Sequence, residues 1–107
     1  MPEGPEIRRA ADKIAAVLEN EVIEDLFLGL GRLKKFRRTL TGTRVRSIET
    51  RGKALLTHFN TDWTLYSHNQ LYGVWHVVDR GQYPTTTRTL RVALHTARHS
   101  ALLYSAS

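Results

Sequence analysis

The residues with the plainest chemical potential are the first six, Met1-Pro2-Glu3-Gly4-Pro5-Glu6. Removal of Met1 leaves Pro2 at the N-terminus with a free secondary amine. Such an amine attacks an electrophilic carbon and forms an iminium adduct, and Glu3 sets a carboxyl group beside it as acid or base. A free α-amino group titrates at roughly 7.7–8.0. The positive end of a following helix lowers that value, whereas Glu3 raises it. Proline near a helix start and acids in the first turn are also ordinary helix-start chemistry. Pro2, Glu3 and Glu6 therefore carry a structural reading beside the catalytic one; for Glu6 it is complementation of the helix dipole.

Three other stretches hold candidate residues. In Thr50-Arg51-Gly52-Lys53-Ala54-Leu55-Leu56, Gly52 permits a tight turn and Lys53 stands where a loop enters an apolar strand. A lysine there is commonly a solvated gatekeeper. Tyr66-Ser67-His68-Asn69-Gln70-Leu71-Tyr72-Gly73 holds a polar–apolar–aromatic triplet closed by glycine. Gln70, Leu71 and Tyr72 suit a wedge pushed into a base stack; the competing reading is a turn with Leu71 and Tyr72 packed inward. The run Arg32-Leu33-Lys34-Lys35-Phe36-Arg37-Arg38 places five cations in seven residues. Arg32, Lys34 and Lys35 fit either a phosphate-tracking patch or a solvated face, with Leu33 and Phe36 as anchors to the core.

The elements that must position these residues read as follows. Residues 5–19 form an amphipathic helix, with Ile7, Ala10, Ala11, Ile14, Val17 and Leu18 at helical spacing. Strands are expected over 22–28, 44–50, 54–59, 63–68, 74–78, 90–95 and 100–106. Val45, Ser47 and Glu49 share one face of the second of these, opposite Ile48. Residues 74–78 are apolar on both faces and read as a central strand. Leu90, Val92 and Leu94 share a face. Asn60-Thr61-Asp62 marks a hairpin turn.

At 107 residues the chain is one domain with one core. Sixteen Lys+Arg against ten Asp+Glu give +6 and a pI near 10.2, which points to a polyanionic partner, nucleic acid first. The absence of cysteine excludes a disulfide framework or a cysteine-ligated zinc and fits the cytoplasm. No apolar run approaches the ~20 residues of a membrane span.

The opening hexapeptide resembles the start of the formamidopyrimidine-DNA glycosylase/endonuclease VIII family of base-excision repair enzymes. Residues 50–56 and 66–73 resemble its endonuclease VIII branch, and the likeness runs over the whole chain, 1–107. It implies the N-terminal catalytic domain: mainly β with α, an eight-stranded β-sandwich flanked by helices, one of them long and N-terminal. It implies Pro2 as Schiff-base nucleophile, Glu3 and Lys53 as catalytic partners, and Glu6 as a supporting acid. Gln70, Leu71 and Tyr72 would fill the void left by an extruded base, and His68 and Asn69 would face the DNA. The implied activity is glycosylase and AP lyase (β,δ-elimination) on oxidised pyrimidines in double-stranded DNA, in a bacterial cytoplasm. No cofactor or metal is implied in this chain, because the family's structural zinc belongs to a C-terminal finger. That finger and the helix-two-turn-helix domain do not occur here, so weak DNA binding, low activity and self-association are expected. The alternatives are a non-catalytic basic nucleic-acid-binding β domain and a self-associating fragment; retained Met1 would mark the former.

Overall fold

The N-terminal stripe of small and branched apolar residues decides where the first helix lies. The structure, a computed structural model, describes residues 3–68 and 73–105, and of residues 3–6 the backbone path alone. Helix α1 (Glu3–Leu18) buries Ile7, Ala11, Ile14 and Leu18, spaced four, three and four apart. It begins two residues earlier than the periodicity predicts. Asn20, at φ 67°, ends it in the left-handed conformation that asparagine tolerates, and its N–H donates to Val45 O at 2.8 Å.

Seven strands follow among the described residues: β1 (Asp25–Leu28), β2 (Val45–Arg51), β3 (Ala54–Phe59), β4 (Thr64–His68), β5 (Val74–Asp79), β6 (Thr89–His95) and β7 (His99–Ser105). They form two antiparallel sheets, one ordered β1-β6-β7-β5 and one ordered β2-β3-β4. The expected count was eight. The strand expected from Val22 shortens to Asp25–Leu28, since Val22 makes only a single bridge to Arg44. The basic run is helical: a 3-10 turn at Gly31–Leu33 leads into α2 (Phe36–Leu40).

The inner faces of both sheets meet α1 in one core. Leu26, Leu94 and Ala101 come from the four-stranded sheet, Val45, Leu55 and Phe59 from the three-stranded one, and Ile14 and Leu18 from the helix. Two bulges decide which residues reach it. On β2 the register shifts between Val45 and Ser47, so Arg46 is an extra residue. Val45 opposite Phe59 and Ile48 opposite Thr57 then share the inner face, although an odd spacing separates them. Ser47, Glu49 and Arg51 turn outward together. On β6 a shift between Leu90 and Val92 sends Leu90 to the outer face, where it packs with Ala93, Leu102 and Tyr104, while Val92 and Leu94 stay inside. Strict alternation had placed Val45 opposite Ile48, and Leu90 with Val92. The strand expected to be central, β5, lies at a sheet edge. It is apolar on both sides because Trp75 and Val77 join the main core and Val78 the outer cluster.

Two buried polar groups test this account. The Thr57 hydroxyl is fully buried without a hydrogen-bond partner among the described residues, so Thr57→Val should raise the urea-unfolding free energy by about 1 kcal/mol. His95 is buried, its Nδ1 lies 2.6 Å from Ser100 Oγ, and burial followed by the Arg80 charge pushes its pKa down. A folded-state pKa below the unfolded value of about 6.5 means the unfolded chain takes the proton first. That share of stability is present above about pH 6.5 and is lost as the pH falls through it towards the lower folded value. Unfolding measured between pH 8 and pH 5 should therefore show a steeper loss for the native chain than for His95→Gln.

Candidate active site

Lys53 sits in the two-residue connection between β2 and β3, closed by the pair Arg51 and Ala54. Gly52 takes φ 61°, a conformation that any Cβ would strain. A positive φ at the first central residue is the mark of a type II′ hairpin turn, which matches the twist of the flanking strands. The turn holds Lys53 exposed at its tip. Arg51 Nη2 donates to Glu49 Oε2 at 2.9 Å, Glu49 Oε1 lies 2.7 Å from His58 Nε2, and His58 Nδ1 lies 2.9 Å from Thr64 Oγ1. This chain of contacts crosses all three strands on the outer face behind the turn. The His58 contact, and after it Arg51, holds the Glu49 carboxyl below its usual range. The bulge at Arg46 puts Glu49 on the outer face with Ser47, whose cross-strand partner is His58, so Glu49 meets His58 diagonally, a contact the sequence pattern did not show.

Ala54, next to Lys53, pairs with His68 at the end of β4. The Lys53 turn and the exposed His68 therefore lie at the same end of the three-stranded sheet. The chain continues from His68 through Asn69, Gln70, Leu71 and Tyr72, which lie outside the described residues, and resumes at Gly73. At this end a cleft of about 320 Å³ opens between the sheets, lined among others by Leu65, Ser67, His68, Gly73, Arg91 and Leu103. Arg91 Nε donates to Ser105 Oγ at 2.7 Å. Tyr66 is 60% exposed beside His68, with ring centroids 6.3 Å apart. Neither Tyr66 nor Arg91 was singled out from the sequence; the alternation of β4 alone pointed Tyr66 to the same side as His68.

Pro2 lies outside the described residues, and the side chains of Glu3 and Glu6 are not described. Their backbone opens α1, whose far end is fixed on β2: the Glu19 carboxylate accepts the Ile48 N–H at 3.0 Å. The basic run does not join the Lys53 turn. Phe36 meets Trp63 edge-to-face at 4.7 Å, and Lys35 Nζ stands 5.4 Å over the Phe36 ring. Trp63 precedes β4, five residues from His68, or roughly 17 Å along an extended strand. Arg32, Lys34 and Lys35 are exposed, whereas Arg37 is tied to Asp25 by a bidentate pair of 2.9 and 3.1 Å. That pair pulls the Asp25 carboxyl down and the Arg37 guanidinium up.

Comparison with known proteins adds the following. Residues 1–106 match the family model described as the formamidopyrimidine-DNA glycosylase N-terminal domain. The chain is 59% identical over its 107 residues to Endonuclease 8 of Escherichia coli O1:K1 and equally to that of E. coli O139:H28, covering 41% of each. It thus spans about two fifths of the length of the curated relatives it matches. Among solved structures, Lactococcus lactis FPG (MutM) with FAPY-dG-containing DNA superposes with a TM-score of 0.80 at 17% identity, over 94% of this chain and 39% of that one. The complex of L. lactis Fpg with abasic-site DNA gives 0.79 at 18%, over the same shares. At that identity the likeness is one of fold.

The turn carries its own prediction. Gly52→Val should cost about 1–2 kcal/mol of stability through its positive φ. Lys53→Ala should stay within about 0.5 kcal/mol of the native chain, as an exposed tip residue does. Denaturant unfolding of both variants reads the difference.

Proposed function

The chain belongs to the formamidopyrimidine-DNA glycosylase family, and from that premise we propose that it is the catalytic domain of a base-excision glycosylase with AP lyase activity on oxidised pyrimidines. The observation that carries the proposal is the placement of Lys53: a cation at the tip of a tight turn, at the same end of the sheet as His68, which lines the cleft. The identity to proteins named Endonuclease 8 supports the endonuclease VIII branch.

In the proposed reaction the Pro2 nitrogen bonds to the anomeric sugar carbon, and the bond from that carbon to the base breaks. Glu3 gives a proton to the ring oxygen as the sugar opens, leaving an iminium between Pro2 and the sugar. The iminium acidifies the neighbouring C–H. Loss of that proton expels the 3′-phosphate, and a second elimination expels the 5′-phosphate. Lys53 holds the phosphate charge through these steps, and Glu6 supports the opening turn of α1. Gln70, Leu71 and Tyr72 fill the gap left by the extruded base, with His68 and Asn69 on the DNA-facing side. The basic run, at the other end of β4, contributes sequence-independent attraction through Arg32, Lys34 and Lys35. Helix-two-turn-helix and zinc-finger domains supply the remaining grip in this reading, so the 107-residue chain alone should bind DNA weakly.

Borohydride trapping on abasic DNA, with protein whose mass shows Met1 removed, tests the reading without requiring base recognition. A covalent adduct is expected at low salt, weakened by Lys53→Ala and abolished when the terminal amine is blocked. An adduct that survives blocking, or none at high protein concentration, would overturn the role given to Pro2 in this chain.

A further inference from the structure

On the outer face of the four-stranded sheet lies a hollow of about 490 Å³ that the proposed lyase chemistry does not use. Its floor is made by cross-strand neighbours, Asp25 opposite His95 and Phe27 opposite Ala93. Ala93 contributes a single methyl, which keeps the floor low beside Phe27. Lys34 and Arg37 line it from the basic run, and Tyr83 from the β5–β6 connection. Phe27 is 41% exposed and Tyr83 56%, two large rings that the core leaves uncovered. Tyr83 meets the His95 ring at 6.5 Å and 69°.

The polar groups of the hollow have unused capacity. Asp25 engages Arg37 through Nε and Nη2, which leaves Nη1 without a partner among the described residues. Ser100 occupies His95 Nδ1, which leaves Nε2 likewise. Lys34 has no ion pair among the described residues. Since Asp25 offsets Arg37, Lys34 gives the hollow a net positive charge.

We infer that this hollow is a nucleotide site, taking a nucleobase against Phe27 and Tyr83 with its edge on His95 Nε2, and the 5′-phosphate on Lys34 and Arg37 Nη1. Aromatic faces accept any base by stacking, and adjoining cations take the backbone charge. The volume lies within the ~300–1,000 Å³ of small-molecule sites. An aliphatic ligand would leave the cations and the imidazole nitrogen unmatched. The same chemistry is offered by a free mononucleotide and by the unpaired 5′-phosphorylated end of a strand. The inference stands apart from the chemistry proposed for the N-terminus.

Amide NMR of the 107-residue chain, titrated with AMP, adenosine, ribose 5-phosphate and a 5′-phosphorylated single-stranded tetranucleotide, tests it. AMP should shift the amides of Phe27, Ala93 and His95. Loss of the ring or of the phosphate should each weaken binding by about tenfold or more, as should Phe27→Ala and Lys34→Glu. Both substitutions fall on exposed side chains, and the spectra show directly that the fold is kept. Tighter binding of the tetranucleotide at the same amides assigns the site to a strand end, and equal or weaker binding to a free nucleotide. Ribose 5-phosphate binding as well as AMP, unchanged affinity in Phe27→Ala, or shifts confined to other surfaces would overturn the site.

Discussion

The burial of one stripe of α1 against the inner faces of both sheets is the constraint on which the other features depend. Ile7, Ala11, Ile14 and Leu18 enter the same core as Leu55, Phe59 and Leu94. That contact fixes the helix relative to the three-stranded sheet, which also carries the Lys53 turn. The Glu19–Ile48 bond and the Asn20–Val45 bond then set the helix along β2. A helix of 16 residues is a rod of roughly 24 Å, so pinning one end restricts the other. Glu3 thus begins an element anchored at its far end, as the role proposed for the N-terminus requires.

Much of this arrangement was legible in the sequence, because helix, turns and most strands each announced themselves locally. The α1 stripe has helical spacing, Gly52 marks the β2–β3 turn, and Asn60-Thr61-Asp62 marks the next. What escaped was set by pairing between distant strands. The bulges at Arg46 and Arg91 change which residues face inward, and nothing in their own sequence signals an extra residue. The edge position of β5 escaped for a related reason. Apolar residues on both faces record burial on both faces, which an outer cluster around Tyr104 supplies as well as a central position does. The short helix α2 takes in the end of the basic run and is too brief for its periodicity to be read.

The candidate site divides along the same line. Lys53 was found through its glycine and the strand it precedes, both local features. Its adjacency to His68 depends on the β3–β4 register, and the Glu49–His58–Thr64 contacts behind it depend on the β2 bulge as well. The basic run was visible as charge, but only the fold shows that it stacks on Trp63 at the far end of β4.

Net charge therefore overstates how much cationic surface is available to a polyanion, and the fold determines which part is. Arg37 is committed to Asp25, Arg51 to Glu49, and Arg80 to Glu24 and the Thr96 carbonyl. The four lysines, 13, 34, 35 and 53, form no ion pair among the described residues. Exposed pairs such as these contribute little to stability. Their larger effect is to position guanidinium groups and to limit them to the N–H groups the pair leaves over, as with Nη1 of Arg37. Lysine, a point charge on a flexible stem, remains free to follow an incoming anion. Arg37, Arg51 and Arg80 thus brace the surface, while lysines without an ion pair among the described residues mark where it attracts: Lys53 at the turn near His68, Lys34 at the hollow, and Lys35 over Phe36.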